Sequence, residues 1–161
     1  MKIYTIIGGV NGTGKSSLTG VLKTQTTDLG VIVDVDKITA QLGGSAMEGC
    51  KVALGRLNDC LSKCVSFTQE TTFSDRRVEL TAARANIEGY SIRLFHVGLD
   101  TPEECLARIE NRVRRGGYNI REEDVQRRFA GRCEAVSKIL LYCDESLLLT
   151  MITSLWRLRS T

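Results

Sequence analysis

A glycine-rich segment near the start of the chain has the residue types and spacing of a phosphate-binding loop. The segment Gly9-Val10-Asn11-Gly12-Thr13-Gly14-Lys15-Ser16 satisfies G-x-x-x-x-G-K-[ST] at every fixed position. In such a loop, backbone N–H groups and the lysine hold the phosphates, and the serine hydroxyl can ligate Mg²⁺. The segment predicts nucleoside triphosphate binding, and the alternative is an ordinary glycine turn. The predicted nucleotide-binding residues are Gly9, Asn11, Gly12, Thr13, Gly14, Lys15, Ser16 and Ser17, with Ser16 as the metal ligand.

Acidic residues follow the next two predicted strands. Asp34 and Asp36 end the second strand, and Glu70 ends the third. Phosphoryl transfer needs a carboxylate to orient or deprotonate the attacking hydroxyl. Alternation along a strand would put Asp34 and Asp36 on the same side. Spacing leaves open which of the two has this role, and whether an acid here only caps the following helix.

Every basic residue between 108 and 128 is an arginine. These residues are Arg108, Arg112, Arg114, Arg115, Arg121, Arg127 and Arg128. The first, second and fourth of them form one stripe of a predicted helix. A planar guanidinium suits phosphate oxygens, so 108–128 is predicted to be a lid-like segment in which two or three arginines contact phosphate. The others are expected to form surface ion pairs. RNA binding is the alternative function, but no aromatic cluster accompanies these arginines, which disfavours a nucleic-acid partner.

Strand-like and helix-like stretches alternate along the chain. Strands are predicted at 2–7, 30–35, 65–69 and 91–97, and helices at 15–25, 47–63, 76–88 and 102–115. Thr101 is predicted to cap the helix that begins at Pro102, and Asn119 to cap a further helix. The alternation predicts an α/β fold, a three-layer α/β/α sandwich of the P-loop NTPase type. Its central sheet would be mostly parallel with about five strands, in a single domain over 1–161.

Composition sets broad limits on the class of protein. The 161 residues include 22 Lys+Arg and 19 Asp+Glu, for a net charge of +3, and 42% are hydrophobic. These values exclude a disordered chain, and they do not require a nucleic-acid or membrane partner. The first residues match neither a signal peptide nor a membrane span, so a cytoplasmic location is expected. The six cysteines are expected to be reduced and mostly buried. His96, the only histidine, is expected to be packed or at a sheet edge, and not catalytic.

An ordered set of motifs points to a family. The set consists of G-x-N-G-x-G-K-S, Asp-x-Asp-Lys-Ile, Glu-Thr-Thr-Phe-Ser, Gly-Tyr and Arg-Ile-x-x-Arg-Val-x-x-Gly-Gly-Tyr-Asn-Ile-x-Glu-Glu-Asp-Val-x-Arg-Arg-Phe. Between about residues 2 and 144 the chain resembles the zeta toxin family of P-loop kinases. The resemblance implies ATP and Mg²⁺ as cofactors. It also implies transfer of the γ-phosphate to a hydroxyl of a nucleotide sugar such as UDP-N-acetylglucosamine, and an antitoxin as protein partner.

The same resemblance assigns roles to individual residues. Lys15 and Ser16 would hold the phosphates and Mg²⁺, and Asp36 would be the base that faces the acceptor hydroxyl. The choice between the two aspartates thus falls on Asp36. Glu70 and Thr71 would bind the acceptor. The catalytic residues implied in this way are Lys15, Asp36, Arg112, and Arg127 or Arg128, the arginines stabilising transferred charge.

The sequence departs from the family pattern in three ways. Tyr118 follows the paired glycines where the family commonly has histidine, the segment after Asp144 differs from the usual strand and Asp-Asn pair, and the chain is short. A different class of function therefore stands as the alternative. It is a nucleotide-binding regulatory module, or a catalytically reduced toxin-like protein, that phosphorylates no acceptor. An interaction protein within a toxin and antitoxin pair is a third hypothesis.

Overall fold

The computed structural model describes residues 1–152 and 155–159. Its strands form one six-stranded sheet. The elements in chain order are β1 Ile3–Gly8, α1 Lys15–Gln25, β2 Val31–Asp34, α2 Val35–Gln41, α3 Ala46–Ser62, β3 Phe67–Thr71, α4 Arg77–Ile87, β4 Ser91–Gly98, α5 Pro102–Arg114, α6 Glu122–Leu140, β5 Glu145–Ile152 and β6 Leu155–Arg159. The strand order is β2-β3-β1-β4-β5-β6. The first five strands pair in parallel, and β6 pairs antiparallel with β5. The predicted fold class is confirmed.

Strand β1 lies at the centre of the sheet and is buried along its whole length. Tyr4 and Ile6 contribute to a core that also includes residues of α3, α4 and α6. Ile7 points to the opposite face, where it packs with Leu18 of α1 and Val97 of β4. Because strand residues alternate between faces, β1 needs apolar side chains on both sides of a sheet that helices cover on both faces. Its position brings the end of β1 between the ends of β3 and β4.

Local signals set several boundaries as expected. Thr101 accepts a hydrogen bond from the Glu104 N–H, and the Glu104 carboxylate accepts one from the Thr101 N–H, so the predicted capping box opens α5. Two expectations were wrong. Asn119 does not cap α6, because Arg121 is the N-cap residue and the Asn119 side chain accepts from the Ile120 N–H. Residue 35 begins α2 instead of continuing β2, because the Asp34 side chain caps that helix.

The end of the chain continues the sheet. The segment after Asp144 forms β5 beside β4, and Leu155–Arg159 forms β6. Thr153, Ser154, Ser160 and Thr161, which belong to the predicted 1–161 domain, lie outside the described residues.

The cysteines are less buried than expected, although all six are free. Cys60 and Cys105 are buried, Cys64 and Cys133 are exposed, and the other two are intermediate. Among the described residues, we find no helix with the length and apolar character needed to cross a membrane.

Gly30 marks a close approach between the starts of β2 and β3. Its φ of +61° is left-handed, and a Cβ there would lie 1.8 Å from the Ser66 carbonyl oxygen. That carbonyl accepts the Val31 N–H, which opens the pairing of the two strands. Gly20 offers a contrast, since it is an exposed residue of α1 and a Cβ added there would meet nothing within 4 Å.

We expect Gly30→Ala to lower the free energy of unfolding by about 2 kcal/mol or more, because it adds both backbone strain and a collision. Gly20→Ala is the matched control and should stabilise the protein by about 0.5–1 kcal/mol. Urea unfolding of the two variants measures both effects. Equal effects of the two substitutions would contradict this interpretation of Gly30.

Candidate active site

The predicted phosphate-binding loop connects the end of β1 to the start of α1. Gly12 and Gly14 have φ values of +85° and +98°, which favour glycine, and Gly14 is the N-cap residue of α1. A Cβ at Gly12 would lie 2.7 Å from the Cys105 carbonyl oxygen, so α5 closely approaches the loop. The Thr13 hydroxyl donates to the Val10 carbonyl at 2.8 Å. The loop therefore ends at the N-terminus of α1, where backbone N–H groups attract anions.

Lys15 holds its ammonium group across this loop. The side chain is buried, and Nζ donates to the carbonyl oxygens of Gly9 at 2.8 Å and Val10 at 3.2 Å. Burial lowers the pKa of Lys15, while the nearby carboxylates of Asp36, Glu70 and Asp34 act in the opposite direction. The loop thus presents a cation next to a group of acids.

The two aspartates after β2 have different surroundings. Asp34 is the N-cap residue of α2, and its carboxylate accepts the Lys37 N–H at 3.2 Å. Asp36 lies in the first turn of α2, so the expected strand alternation between the two acids was wrong. The Asp36 carboxylate instead accepts a hydrogen bond from the Asn11 amide at 3.3 Å. Capping therefore applies to Asp34, and Asp36 faces the phosphate-binding loop.

Glu70 lies near the end of β3, directly beside the loop. Its carboxylate accepts hydrogen bonds from the Ser16 hydroxyl at 3.1 Å and from the Thr19 hydroxyl at 2.5 Å. Burial raises the pKa of Glu70, and these hydrogen bonds partly offset the effect. The next residue, Thr71, accepts the Gly9 N–H through its backbone carbonyl at 3.1 Å. The end of β3 is therefore joined to the loop and to the first turns of α1.

The predicted arginine stripe faces the loop, as its spacing indicated. Arg108, Arg112 and Arg115 line one cleft together with the loop. The Arg112 guanidinium lies 4.5 Å from the centre of the Tyr118 ring, and its Nη2 donates to the Tyr118 carbonyl at 3.4 Å. Tyr118 therefore occupies the cleft and orients an arginine by a cation–π contact. Sequence reasoning assigned Tyr118 no role.

The remaining arginines divide between the site and the surface. Arg128 donates to the Asn11 side chain at 2.5 Å. Arg127 instead pairs with Asp124 at 2.8 Å, and its side chain is 68% exposed. Arg114 and Arg121 also form exposed ion pairs, which contribute little to stability. Four of the seven arginines, Arg108, Arg112, Arg115 and Arg128, thus lie at the loop or the cavities beside it, which is one more than the two or three expected to contact phosphate.

Two cavities meet at the loop. The larger, about 620 Å³, lies between the loop and α5, and the smaller, about 190 Å³, lies among α2, α3, β3 and α4. Lys15, Asp34, Asp36 and Glu70 line both cavities. Sequence reasoning missed several other lining residues: Lys37, Asn111 and Tyr118 in the larger cavity, and Thr39, Leu57 and Gln69 in the smaller. Asn111 could have been found from its spacing of three from Arg108, which puts both on one helix face.

Comparison with known proteins shows which structures share the fold of this chain. No protein-family model matches the chain. An uncharacterized protein of Haemophilus influenzae is 27% identical over 126 residues, which cover 75% of this chain and 88% of that protein. A structure of the AvrRxo1-ORF1:AvrRxo1-ORF2 complex with sulphate ions matches with a TM-score of 0.72 at 14% identity, over 98% of this chain and 57% of its own. The chain has a zeta-toxin-like P-loop kinase fold.

Further structures share this P-loop kinase fold. The PezAT toxin–antitoxin system of Streptococcus pneumoniae matches with a TM-score of 0.67 and 17% identity, over 93% of this chain and 68% of that one. A putative kinase from Chloroflexus aurantiacus matches with a TM-score of 0.58 and 16% identity, over 80% and 78%. This chain thus spans little more than half the length of the AvrRxo1-ORF1 structure.

His96 lies on β4, beside the end of β1. It pairs in register with Gly8, and its ring stacks on Phe73 with 6.2 Å between centroids. Its Nε2 is buried and has no hydrogen-bond partner among the described residues. Burial, and then the positive charges of Arg132 and Lys15, lower the pKa of His96 to about 4. The expectation that His96 is packed is confirmed by this environment.

We expect the free energy of unfolding to fall by about 1 kcal/mol between about pH 7 and about pH 5.5. The unfolded chain binds a proton at His96 near pH 6.5, whereas the folded protein resists protonation until near pH 4. Urea unfolding at the two pH values measures the difference. His96→Gln should remove most of it, since the chain has no other histidine. An equal fall in the variant would contradict the assignment to His96.

Proposed function

We propose that this protein is an ATP-dependent kinase that transfers the γ-phosphate to a hydroxyl group of a small-molecule acceptor. The observation that carries the proposal is the shared wall between its two cavities, formed by Lys15, Asp34, Asp36 and Glu70. The larger cavity has the loop and arginines that suit a triphosphate. The smaller has room for the reacting end of a second molecule. A phosphate in the larger cavity and a hydroxyl in the smaller one would meet beside the four residues that line both.

The donor side follows from the loop. Backbone N–H groups of the loop, the Lys15 ammonium and the arginine stripe of α5 would surround the negative charge of a triphosphate. The P-loop kinase fold supports ATP as the donor, and a structure of the AvrRxo1-ORF1:-ORF2 complex that shares the fold contains ATP.

Mg²⁺ suits the donor set beside the loop. The Ser16 hydroxyl and the carboxylate of Glu70 are hard oxygen donors, and Mg²⁺ in kinases typically takes one or two protein oxygens plus phosphates and water. Among the described residues, no group of three or more acidic, histidine or cysteine side chains is placed so that it could hold a metal ion by itself. A bound Mg²⁺ would neutralise phosphate charge. Ser16 would be the direct protein ligand, held in position by its hydrogen bond to Glu70.

Asp36 is the proposed base. It would accept the proton of the acceptor hydroxyl while that oxygen forms a bond to the γ-phosphorus, the bond to the bridging oxygen breaks, and ADP leaves. Its position in the first turn of α2 puts its carboxylate at the edge of both cavities. Thr71 and Glu70 line the acceptor side.

The acceptor is proposed from the cavity and from the resemblance together. A cavity of about 190 Å³ is smaller than the roughly 300–1,000 Å³ typical of whole-ligand sites, so it would enclose only the reacting end of the acceptor. The sugar ring of a nucleotide sugar fits this description, with its nucleotide outside. UDP-N-acetylglucosamine is therefore the first acceptor to test.

Arg112 and Arg128 are the arginines that we propose to stabilise charge on the transferred phosphoryl group. Arg112 lines the donor cleft, and Arg128 reaches the loop through Asn11. Between Arg127 and Arg128, these contacts favour Arg128.

We expect ADP release from Mg-ATP to rise in the presence of one acceptor from a panel headed by UDP-N-acetylglucosamine and other nucleotide sugars. Asp36→Asn should lower kcat by about 10²- to 10⁴-fold and leave ATP affinity nearly intact, because the base acts on the acceptor. Lys15→Ala should lose ATP binding itself.

Asp34→Asn is the matched control. Asparagine also caps helices well, so this variant loses a charge at the neighbouring acid but retains the cap of α2. It should lose less than about 10-fold in kcat. Equal losses in the two variants would contradict a specific role of Asp36. ATP binding without stimulation by any acceptor would instead support a regulatory module.

We also propose that the activity is toxic to bacteria and requires restraint by a protein partner, since structures with this fold include a toxin–antitoxin system. Overproduction of the chain alone should arrest growth in a plate assay, and Lys15→Ala or Asp36→Asn should relieve the arrest. Normal growth on overproduction of active kinase would contradict toxicity.

A further inference from the structure

Asn11 joins three distant parts of the chain through its side chain. It lies in the loop after β1 and is only 2% exposed. Its amide oxygen accepts a hydrogen bond from Arg128 of α6 at 2.5 Å, and its amide nitrogen donates to the carboxylate of Asp36 at 3.3 Å. One buried amide thus connects the loop to α2 and to α6.

Both ends of the Asn11 amide are already engaged by protein. The sequence motif groups Asn11 with the nucleotide-binding residues, but these contacts leave chiefly its backbone N–H to face a phosphate. The amide suits its neighbours, because it offers an acceptor to a guanidinium and a donor to a carboxylate. A leucine or alanine could do neither.

Arg128 depends on this contact. Among the described residues, its side chain makes no other hydrogen bond, and its buried Nε has no partner. The helix that carries Arg128 packs through Val125 in an apolar cluster with Val10 of the loop, and through Val136 and Ile139 in another cluster. These apolar contacts hold the helix, but they do not hold the Arg128 guanidinium. Without Asn11, the Arg128 guanidinium would have no fixed position in the smaller cavity, which it lines.

We propose that Asn11 is a positioning residue that fixes Asp36 and Arg128 relative to the phosphate-binding loop, so that the base and the charge-stabilising arginine are aligned with the bound nucleotide. The inference rests on the proposed kinase function and adds a role that the loop motif does not contain. Asn11 acts on the rate of transfer through these two side chains. It contributes little to nucleotide affinity through its own side chain.

Other charged or ionisable side chains also surround Asp36, and they stay the same in every variant of the test that leaves them in place. They come from α1, β2, β3, α2, α6 and the region around α5, namely Lys15, Asp34, Glu70, Lys37, Arg128, Arg112 and Tyr118. Asn11 is a neutral residue that contacts both Asp36 and Arg128. Its replacement by aspartate would retain the shape, keep a partner for Arg128 and place a second negative charge beside Asp36.

The test compares Asn11→Ala, Arg128→Ala, the double variant and Asn11→Asp with the wild-type protein. Steady-state kinetics use Mg-ATP and the acceptor from the panel that gives the highest turnover. Calorimetry measures ATP affinity. Urea unfolding measures the stability of all five proteins, and it also shows whether each variant folds.

We expect Asn11→Ala to lower kcat by about 10- to 100-fold with a change in ATP affinity below about 3-fold, since small misplacements of catalytic groups have effects of this size. The double variant should lose less than the product of the two single losses, because the part of the Asn11 effect that acts through Arg128 is already lost in Arg128→Ala. Asn11→Asp should also lower kcat by about 10-fold or more, since its carboxylate keeps a partner for Arg128 but repels the carboxylate of Asp36.

The proposal is overturned if Asn11→Ala loses ATP affinity as Lys15→Ala does, or if the losses of the two single variants multiply in the double variant. An unreduced kcat in Asn11→Asp would also overturn the contact with Asp36. Failure of the kinase function gives a different result, in which the wild-type protein shows no acceptor-dependent turnover. The contact between Asn11 and Arg128 is then tested by the unfolding measurements alone. Additive effects of Asn11→Ala and Arg128→Ala on the free energy of unfolding would overturn it.

Discussion

The burial of one lysine ammonium constrains the arrangement of the rest of the site. Lys15 is only 8% exposed, and removing a cation from water is costly unless opposite charges and hydrogen-bond acceptors surround it. Two loop carbonyls accept its protons, and carboxylates of Asp34, Asp36 and Glu70 lie nearby. The residues that attract a triphosphate and those that could act on an acceptor are therefore gathered around the same charge.

Only a particular strand order can supply these partners. The loop follows β1, the two aspartates lie at the junction of β2 and α2, and Glu70 lies near the end of β3. In the order β2-β3-β1 all three carboxyl ends meet at one edge of the sheet. The register puts Asp34 beside Glu70 and Glu70 beside Ile7, one residue before the end of β1. Helices α5 and α6 then approach this edge from the other end of the chain and bring the arginines that balance the acids.

Local patterns in the sequence were sufficient for much of this fold. The glycine-rich loop, the buried strands and the capping box at Thr101 depend on residues close together in the chain, so their structure could be predicted. Asn119 was predicted as a cap from its residue type, but α6 begins at Glu122. The N-cap position therefore falls on Arg121. Helix α2 was missed for the related reason that Asp34, interpreted as the end of a strand, in fact caps a short helix.

Contacts between distant residues account for what the sequence did not show. Spacing could not separate Asp34 from Asp36, because the distinction lies in which backbone N–H or side chain each carboxylate meets. The contact of Glu70 with Ser16 joins residues 54 positions apart, and that of Arg128 with Asn11 joins residues 117 apart. Tyr118 departs from the family pattern, yet its ring supports Arg112 in the cleft. Such roles depend on three-dimensional packing and leave no periodic signal.

In the proposed reaction, a nucleotide and an acceptor meet beside Lys15 and Asp36, at the wall that lines both cavities. A crystal structure with Mg²⁺ and a non-hydrolysable ATP analogue would locate the nucleotide. We expect its terminal phosphate to contact the Lys15 ammonium and to face the smaller cavity at Asp36. A terminal phosphate directed away from Asp36, with the smaller cavity closed off from it, would overturn the proposed reaction geometry.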